Sequence, residues 1–173
     1  MHMWKFTGNE RPSFALEPGE GQESVWDYPR PPKCVPDTRT VIVRSKNLTI
    51  AESNNAIRVL ETASPPTFYI PKSDIDLDLI TRSVGSSYCE WKGPATYWSI
   101  EAHGQQIKNA GWSYEQPTPE FTVIAGFLSF YPALLECTVG GQIVRPQPGG
   151  FYGGWVTDEI VGPYKGEPGT GGW

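Results

Sequence analysis

Proline and glycine interrupt this chain along its whole length, and they set the strongest limit on its fold. The 173 residues include 17 prolines and 19 glycines. Proline lacks a backbone donor and glycine favours turns, so the segments between them are short. We therefore expect many turns and few long helices, in one domain with extended ends.

The charge and hydropathy of the chain argue against two classes of partner. Its formal net charge is -5, and it has no basic block. An acidic chain of this kind is a poor candidate for binding nucleic acid or an anionic membrane. No apolar run approaches the roughly 20 residues of a membrane span, and the first residues lack a signal-peptide core. We expect a cytoplasmic protein that binds neither nucleic acid nor membrane.

Cysteine and histidine are too few and too dispersed to predict a metal centre. The cysteines are Cys34, Cys89 and Cys137, and the histidines are His2 and His103. There is no Cys-x-x-Cys pair, so neither a zinc site nor a disulfide framework is expected. The sequence predicts no metal and no cofactor, and it favours a reducing compartment.

Both ends of the chain combine turn-forming residues with large aromatic side chains. Residues 1–36 contain six prolines, and residues 146–173 contain nine glycines. Disordered tails are usually poor in aromatics, so we expect both arms to be ordered and packed on a core domain of residues 37–145. We also expect a homodimer, with Trp26 and Trp155 as candidates for its subunit contact.

Alternating apolar residues predict strands through most of the core domain. One segment, residues 56–63, instead has apolar residues at helical spacing, and a short helical turn is predicted at 121–125. The expected fold is mainly β: two packed antiparallel sheets with one or two short helices. The predicted strands cover residues 38–44, 48–51, 67–70, 88–92, 95–102, 106–114, 127–131, 134–139 and 142–145.

Residues 73–80 allow two interpretations. Ser73 and Asp76 have the spacing of a capping box, which favours a helical turn. Asp74, Asp76 and Asp78 alternate, which on a strand would place three carboxylates on one face. A calcium loop would also need a glycine and a later glutamate at fixed spacing, and both are missing. A solvated face is therefore expected here.

Several segments together resemble the domain of unknown function 427 family of bacteria and fungi. The resemblance covers about residues 39–145, and residues 25–29 and 151–155 resemble longer cyanobacterial members. It implies a small β-rich fold of the tent type, which zinc-containing relatives share. The paired cysteines of those relatives are missing here, and Glu90 stands where many members have proline. The segments that carry the resemblance are residues 58–62, 66–71, 89–97, 110–114 and 130–132.

Arg58 and Glu61 are the first candidate site residues. Three residues apart on the predicted helix, they would share a face and line a cleft together with Lys92. Arg58 would supply charge for a ligand carboxylate or phosphate, while Glu61 and Lys92 would supply polar contacts. The alternatives are a surface ion pair for the first two residues and a solvated strand position for Lys92.

Cys89 and Glu61 are the candidate catalytic residues. A nucleophilic cysteine needs a base or a positive neighbour, and His103 is the plausible imidazole. Glu61 could act as a general acid or base in the same cleft. The alternative for Cys89 is a buried, inert thiol, which is the more common state of such residues.

Four aromatic residues on predicted neighbouring strands give the strongest indication of a site. They are Trp91, Tyr97, Trp112 and Tyr114. Flat side chains with polar tips suit a pocket, or aromatic cage, that stacks a flat or cationic ligand. A purely structural aromatic core is an equal alternative. We expect a small-molecule-binding cleft, with an enzyme or a protein-interaction module as the other hypotheses.

Overall fold

In the computed structural model, which describes residues 3–173, the chain forms short strands joined by turns and four 3-10 helices. The helices are Val25–Asp27, Lys72–Asp74, Leu77–Leu79 and Pro119–Ile124. The strands are β1 (Glu23–Ser24), β2 (Lys33–Asp37), β3 (Val41–Ser45), β4 (Leu48–Ser53), β5 (Ala56–Leu60), β6 (Thr67–Tyr69), β7 (Ile80–Cys89), β8 (Gly93–Ala102), β9 (Gln105–Ser113), β10 (Leu128–Phe130), β11 (Glu136–Val139), β12 (Gln142–Ile143), β13 (Arg145–Pro146), β14 (Trp155–Val156) and β15 (Ile160–Val161).

Three antiparallel sheets organise these strands. Sheet 1 has the order β10-β9-β8-β7, sheet 2 has the order β12-β11-β3-β4, and sheet 3 has the order β2-β5-β6. Two strand pairs complete the fold: β1 pairs with β15 in parallel, and β13 pairs with β14. The mainly β fold with packed antiparallel sheets is confirmed.

The main core lies between sheets 1 and 2. Val41 and Val43 of sheet 2 pack in one cluster with Ile100 and Leu128 of sheet 1. Trp155 enters the same cluster from the C-terminal segment, where its ring stacks on Phe68 with centroids 4.9 Å apart. Each such aromatic buries a large apolar area, so this layer holds the two sheets together.

A smaller apolar cluster joins the two ends of the chain. Trp26 is fully buried and packs its ring against Phe6, Phe14 and Trp173. Trp155 is equally buried inside the chain. Neither indole retains exposed surface, so the predicted subunit contact through these two residues is wrong. The homodimer and the division into residues 1–36, 37–145 and 146–173 stay predictions.

The predicted helix over residues 56–63 is wrong, because residues 56–60 form strand β5 and a turn follows it. Strand β5 is the central strand of sheet 3, and it pairs with β2 on one side and β6 on the other. A central strand carries apolar residues on both faces, so its pattern loses the simple two-residue alternation. The same pattern can then be mistaken for helical spacing.

The helical interpretation of residues 73–80 is correct, but the capping box does not form. Two 3-10 turns, Lys72–Asp74 and Leu77–Leu79, precede β7. Asp76 caps the second turn by accepting a hydrogen bond from the Asp78 backbone N–H at 3.2 Å. The turn predicted at 121–125 overlaps the helix Pro119–Ile124, whose C-cap is Ala125. Across residues 3–173, no helix is long and apolar enough to cross a membrane.

Candidate functional site

A cavity of about 690 Å³ opens between sheets 1 and 3. Strands β7 to β9 and the turns between them form one wall, and β5 and β6 form the other. Residues from both chain ends cover it, among them Trp4, Tyr152 and Lys165. Exposed apolar side chains surround its mouth: Tyr88, Leu134 and Phe151.

The turn between β7 and β8 places four consecutive residues in the cavity wall. Only the first two residues of the predicted strand 88–92 are in a strand, because β7 ends at Cys89 and β8 begins at Gly93; residues 90–92 form the turn. Thr118 holds the turn: its N–H donates to Lys92 O at 3.1 Å, and its hydroxyl donates to Trp91 O at 2.6 Å. On a strand, side chains would alternate between two faces, whereas the turn lets Cys89 through Lys92 all line the cavity.

Trp112 is the centre of the aromatic wall. Its Nε1–H donates to the hydroxyl of Tyr69 at 3.1 Å, and its ring lies 4.6 Å from that of Tyr131. Tyr97 and Tyr114, which the sequence also proposed, line the same cavity. Sequence reasoning missed Tyr69 and Tyr131 as site residues, although both lie in strands that it predicted.

Three hydroxyls of this wall, those of Tyr69, Tyr114 and Tyr131, are neutral at physiological pH. Burial raises the pKa of Tyr69 and of Tyr114 above the ordinary value of a phenol. Burial also raises the pKa of Tyr131 to about 12. Each hydroxyl can therefore donate or accept a hydrogen bond, but none supplies a negative charge to the cavity.

Lys92 carries a charge into this aromatic surrounding. The residue is 8% exposed, and its Nζ lies 5.5 Å from the centroid of the Tyr114 ring. Burial lowers the pKa of Lys92, but the ionisable groups of Tyr69, Cys89 and Glu61 raise it, and the net direction is upward. Lys92 is therefore an ammonium ion at neutral pH.

A second group of charges lies at the end of the cavity near the chain termini. The Arg30 guanidinium pairs with the Glu61 carboxylate at 3.3 Å and lies 4.0 Å from the centroid of the Trp4 ring. The Lys165 ammonium lies 4.6 Å from the same ring centroid. Desolvation and the Arg30 charge lower the pKa of Lys165, and Glu61 and Glu90 oppose this shift. None of Arg30, Trp4 and Lys165 was proposed from the sequence.

Arg58 does not reach the cavity, which corrects its assignment as a ligand-binding residue. Val59 of β5 and Glu61, which directly follows the strand, line the cavity, while Arg58 points to the opposite side. There its guanidinium pairs with Glu23 and lies 3.6 Å from the Asp37 carboxylate. A three-residue step keeps one face of a helix but changes face on a strand. The error about secondary structure therefore caused the error about the site.

Cys89 lines the cavity beside Lys92, and His103 is not its partner. The His103 ring shares a hydrogen bond of 2.9 Å with the backbone carbonyl of Ser45, away from the cavity lining. The Lys92 ammonium faces the Cys89 thiol instead. The positive neighbour that a reactive thiol needs is thus present, but it is a lysine from the same turn.

Two polar atoms of the cavity lining are buried without a hydrogen-bond partner in the described part of the chain. They are Nε1 of Trp91, a donor, and Oδ1 of Asn109, an acceptor. Buried polar atoms are nearly always paired, because an unpaired one costs roughly 1–3 kcal/mol. Two residues of the cavity lining therefore each have a polar group whose hydrogen-bonding capacity is not used within residues 3–173.

Comparison with protein families finds a match over the strands that carry this cavity. A family model described as a domain of unknown function, DUF427, matches residues 33–141. The chain belongs to the DUF427 family. The DUF427 match spans β2 to β11, so it includes Glu61, the turn at residues 90–92 and Trp112. No curated protein matches the chain.

The DUF427 match leaves out both segments that cover the cavity. Trp4, Tyr152 and Lys165 lie outside residues 33–141. The likeness of residues 25–29 and 151–155 to cyanobacterial members therefore stays a prediction.

Within residues 3–173, no group of three or more His, Cys, Asp or Glu side chains is placed to hold a metal ion. The expected absence of metal and cofactor likewise stays a prediction.

Proposed function

We propose that this protein binds a flat small organic molecule in the cavity between sheets 1 and 3. The observation that carries the proposal is the composition of the cavity surface, which combines broad aromatic faces with a few convergent polar groups. This composition is typical of small-molecule sites. Trp112, Tyr97 and Tyr114 offer ring faces for stacking, while Trp91 Nε1 and Asn109 Oδ1 offer an unused donor and acceptor.

The size of the cavity supports the same proposal. Its volume of about 690 Å³ lies within the range of roughly 300–1,000 Å³ that ligand pockets occupy. A molecule of one or two fused rings with one or two polar substituents would fit this space. Stacking on a tryptophan or tyrosine contributes about 0.5–1.5 kcal/mol per ring pair beyond the burial of area.

Ligand-observed NMR with a panel of bicyclic aromatic compounds tests this function. We expect saturation transfer to the aromatic protons of some panel members, together with a rise in Tm. Tyr97→Ser removes one ring from the wall, and it should weaken binding at least about fivefold. Val84→Ser, at a position that is 96% exposed and outside the cavity lining, is the control and should bind as the parent does. Binding that survives Tyr97→Ser unchanged would place the ligand elsewhere.

A thiol-based reaction in the same cavity is the second candidate, and one contact favours it. The Lys92 ammonium beside the Cys89 thiol would stabilise a thiolate, which is the nucleophilic form of cysteine. Native protein treated with iodoacetamide should be alkylated at Cys89 before Cys137, which is 1% exposed. Lys92→Met should slow alkylation of Cys89 several-fold, and an unchanged rate would remove this candidate.

The remaining hypotheses from the sequence have less support. A role of Glu61 as a general acid or base is less well supported, because its carboxylate forms an ion pair with Arg30. A protein-interaction module would use the apolar rim of Tyr88, Leu134 and Phe151 around the mouth of the cavity. Addition of a saturating small ligand should leave such a partner's binding unaffected if the rim alone forms the contact.

A further inference from the structure

Lys92 is a buried cation for which residues 3–173 supply no counter-ion. More than nine-tenths of its surface is buried, and it forms no ion pair with a carboxylate of this part of the chain. Buried lysines are rare unless paired, because removing an ammonium ion from water is costly. The rings of Tyr114 and Phe121, with centroids 5.5 and 5.9 Å from Nζ, offset only part of that cost.

The Lys92 ammonium points into the cavity and not away from it. The groups that act on its charge belong to Tyr69, Cys89 and Glu61, and all three side chains line the cavity. Burial raises the pKa of the Tyr69 phenol, so its neutral hydroxyl can accept a hydrogen bond from the ammonium but cannot balance its charge. An anion inside the cavity would accept a hydrogen bond from the Lys92 ammonium and would also balance its charge.

The other charges of the cavity compensate one another. Lys165 of the lining and Arg30, which lies outside the lining but pairs with Glu61, contribute two positive charges near Trp4. Glu61 and Glu90 contribute two negative charges there. The Glu90 carboxylate also accepts a hydrogen bond from Trp4 Nε1 at 3.0 Å. Lys108, the remaining charged residue of the lining, is exposed, so solvent screens it. The uncompensated charge of the cavity is therefore that of Lys92.

A hydrogen-bond donor accompanies this charge. Trp91, the residue before Lys92 in the same turn, has its Nε1–H buried and without a partner in residues 3–173. A carboxylate accepts several hydrogen bonds, so one such group could use the indole donor as well as the ammonium. The side chains around both donors are aromatic, and they suit a ring attached to the anionic group.

We propose that the ligand of this cavity is a monoanionic aromatic acid whose carboxylate, or an equivalent anionic group, pairs with Lys92 while its ring lies among Tyr69, Tyr97 and Trp112. This proposal rests on the proposed small-molecule function and adds the charge and orientation of the ligand. It excludes the cationic ligand that an aromatic cage would otherwise favour, because a second cation beside Lys92 would be repelled in a medium of low dielectric.

Three naphthalene probes of the same shape and different charge test the proposal by isothermal titration calorimetry. They are naphthalene-2-carboxylate, naphthalene-2-carboxamide and 2-naphthylmethylammonium. The carboxylate should bind at least about tenfold more tightly than the carboxamide, and the ammonium compound should bind most weakly. Lys92→Met should reduce the carboxylate affinity to that of the carboxamide and leave the carboxamide affinity within about twofold. Lys92→Arg keeps the charge and should keep the order of affinities.

The control is Lys108→Met, which removes an exposed lysine of the same lining and should leave the three affinities in the same order. Equal affinities for the three probes in the parent protein would overturn the anionic assignment while leaving the small-molecule function standing. Failure of all three to bind at millimolar concentration would count against the small-molecule function itself. The comparison of probes in the parent protein decides the charge preference even where Lys92→Met does not fold.

Discussion

Gly153 lies directly against the ring of Trp112, so that a Cβ atom on residue 153 would stand 2.3 Å from Trp112 Cη2. This contact joins the C-terminal segment to the aromatic wall of the cavity. The absence of a side chain is what allows the backbone to cover the indole so closely. The position of Trp112 thus depends on a residue that lies 41 positions further along the chain.

Gly153→Ala should destabilise the protein and disturb the cavity. The added methyl group would also stand 2.6 Å from Trp112 Cζ3 and 3.2 Å from Tyr131 Cε1, so either a ring or the backbone must move. Overpacking of this kind costs about 1–3 kcal/mol, which a thermal melt would show as a lower Tm. Gly171→Ala is the matched control, since its added Cβ meets no atom within 4 Å. Equal melting temperatures for the two variants would contradict the close packing.

Arg58→Gln should lower stability without weakening ligand binding. The variant removes the ion pair with Glu23 and the positive charge beside Asp37, at a cost of about 1–3 kcal/mol in the free energy of unfolding. Urea unfolding measures this loss, and titration with naphthalene-2-carboxylate should give a Kd within about twofold of the parent. Arg145→Gln, which breaks an exposed pair with Asp158, should change neither quantity appreciably. A large loss of affinity in Arg58→Gln would return Arg58 to the site.

Because of Asp37, the free energy of unfolding should decrease as the pH falls in the acid range. Burial by itself raises the pKa of Asp37, but hydrogen bonds from Arg39 and the charges of Arg39 and Arg58 lower it below the ordinary value of 3.8. A carboxylate whose pKa is lower in the folded state stabilises the protein above the unfolded-state pKa. That contribution is lost as the pH falls through the folded-state pKa.

Asp37→Asn therefore should cost about 1–2 kcal/mol at pH 7, a value reduced by the solvent around the partly exposed Arg39. The loss relative to the parent should shrink as the pH is lowered below about 4, where Asp37 of the unfolded chain binds a proton first and Asp37 of the folded parent binds one only at lower pH. Denaturant melts at pH 7, 5 and 3 measure the difference. A difference in the free energy of unfolding between parent and variant that stays constant from pH 7 to pH 3 would contradict the lowered pKa of Asp37.

Trp26→Ala should be the most destabilising of these changes. The indole is fully buried, touches three aromatic rings and donates from Nε1 to the Pro163 carbonyl at 3.1 Å. Truncating a buried tryptophan costs about 3–5 kcal/mol, because a cavity remains and the carbonyl loses its donor. Differential scanning calorimetry of Trp26→Ala and of Phe151→Ala, whose ring is 78% exposed, makes the comparison. Similar melting curves for the two would show that the ends of the chain pack loosely.

Strands with one buried face could be predicted from the sequence, and strand β5 could not. Val41 and Val43 alternate with more exposed residues, and the paired strands β3 and β4 fall on the successive strands predicted at 38–44 and 48–51. Strand β5 lies between two neighbours and has apolar residues on both faces, so its period was ambiguous. The predicted position of Arg58 depended on whether this segment is a helix or a strand. On a helix Arg58 would share a face with Glu61, whereas on a strand the two side chains lie on opposite faces.

The part of the site that lies on one hairpin was predictable, whereas the contribution of the chain ends was not. Trp91, Lys92 and Tyr97 are close in sequence, and all three line the cavity. Trp4 and Lys165 reach it from segments 161 residues apart. Their convergence depends on backbone hydrogen bonds such as that from Lys165 N to Ala63 O at 2.8 Å, which no local pattern encodes.

The boundary of the DUF427 match divides the cavity lining into a base inside the match and a cover outside it. The base, with Lys92 and Trp112, falls inside residues 33–141, and Trp4, Tyr152 and Lys165 fall outside. Under the proposed function, exchange of the chain ends between members would therefore alter which molecule is admitted without rebuilding the sheets, and a chimera of one member's domain with another's ends should take its selectivity from both.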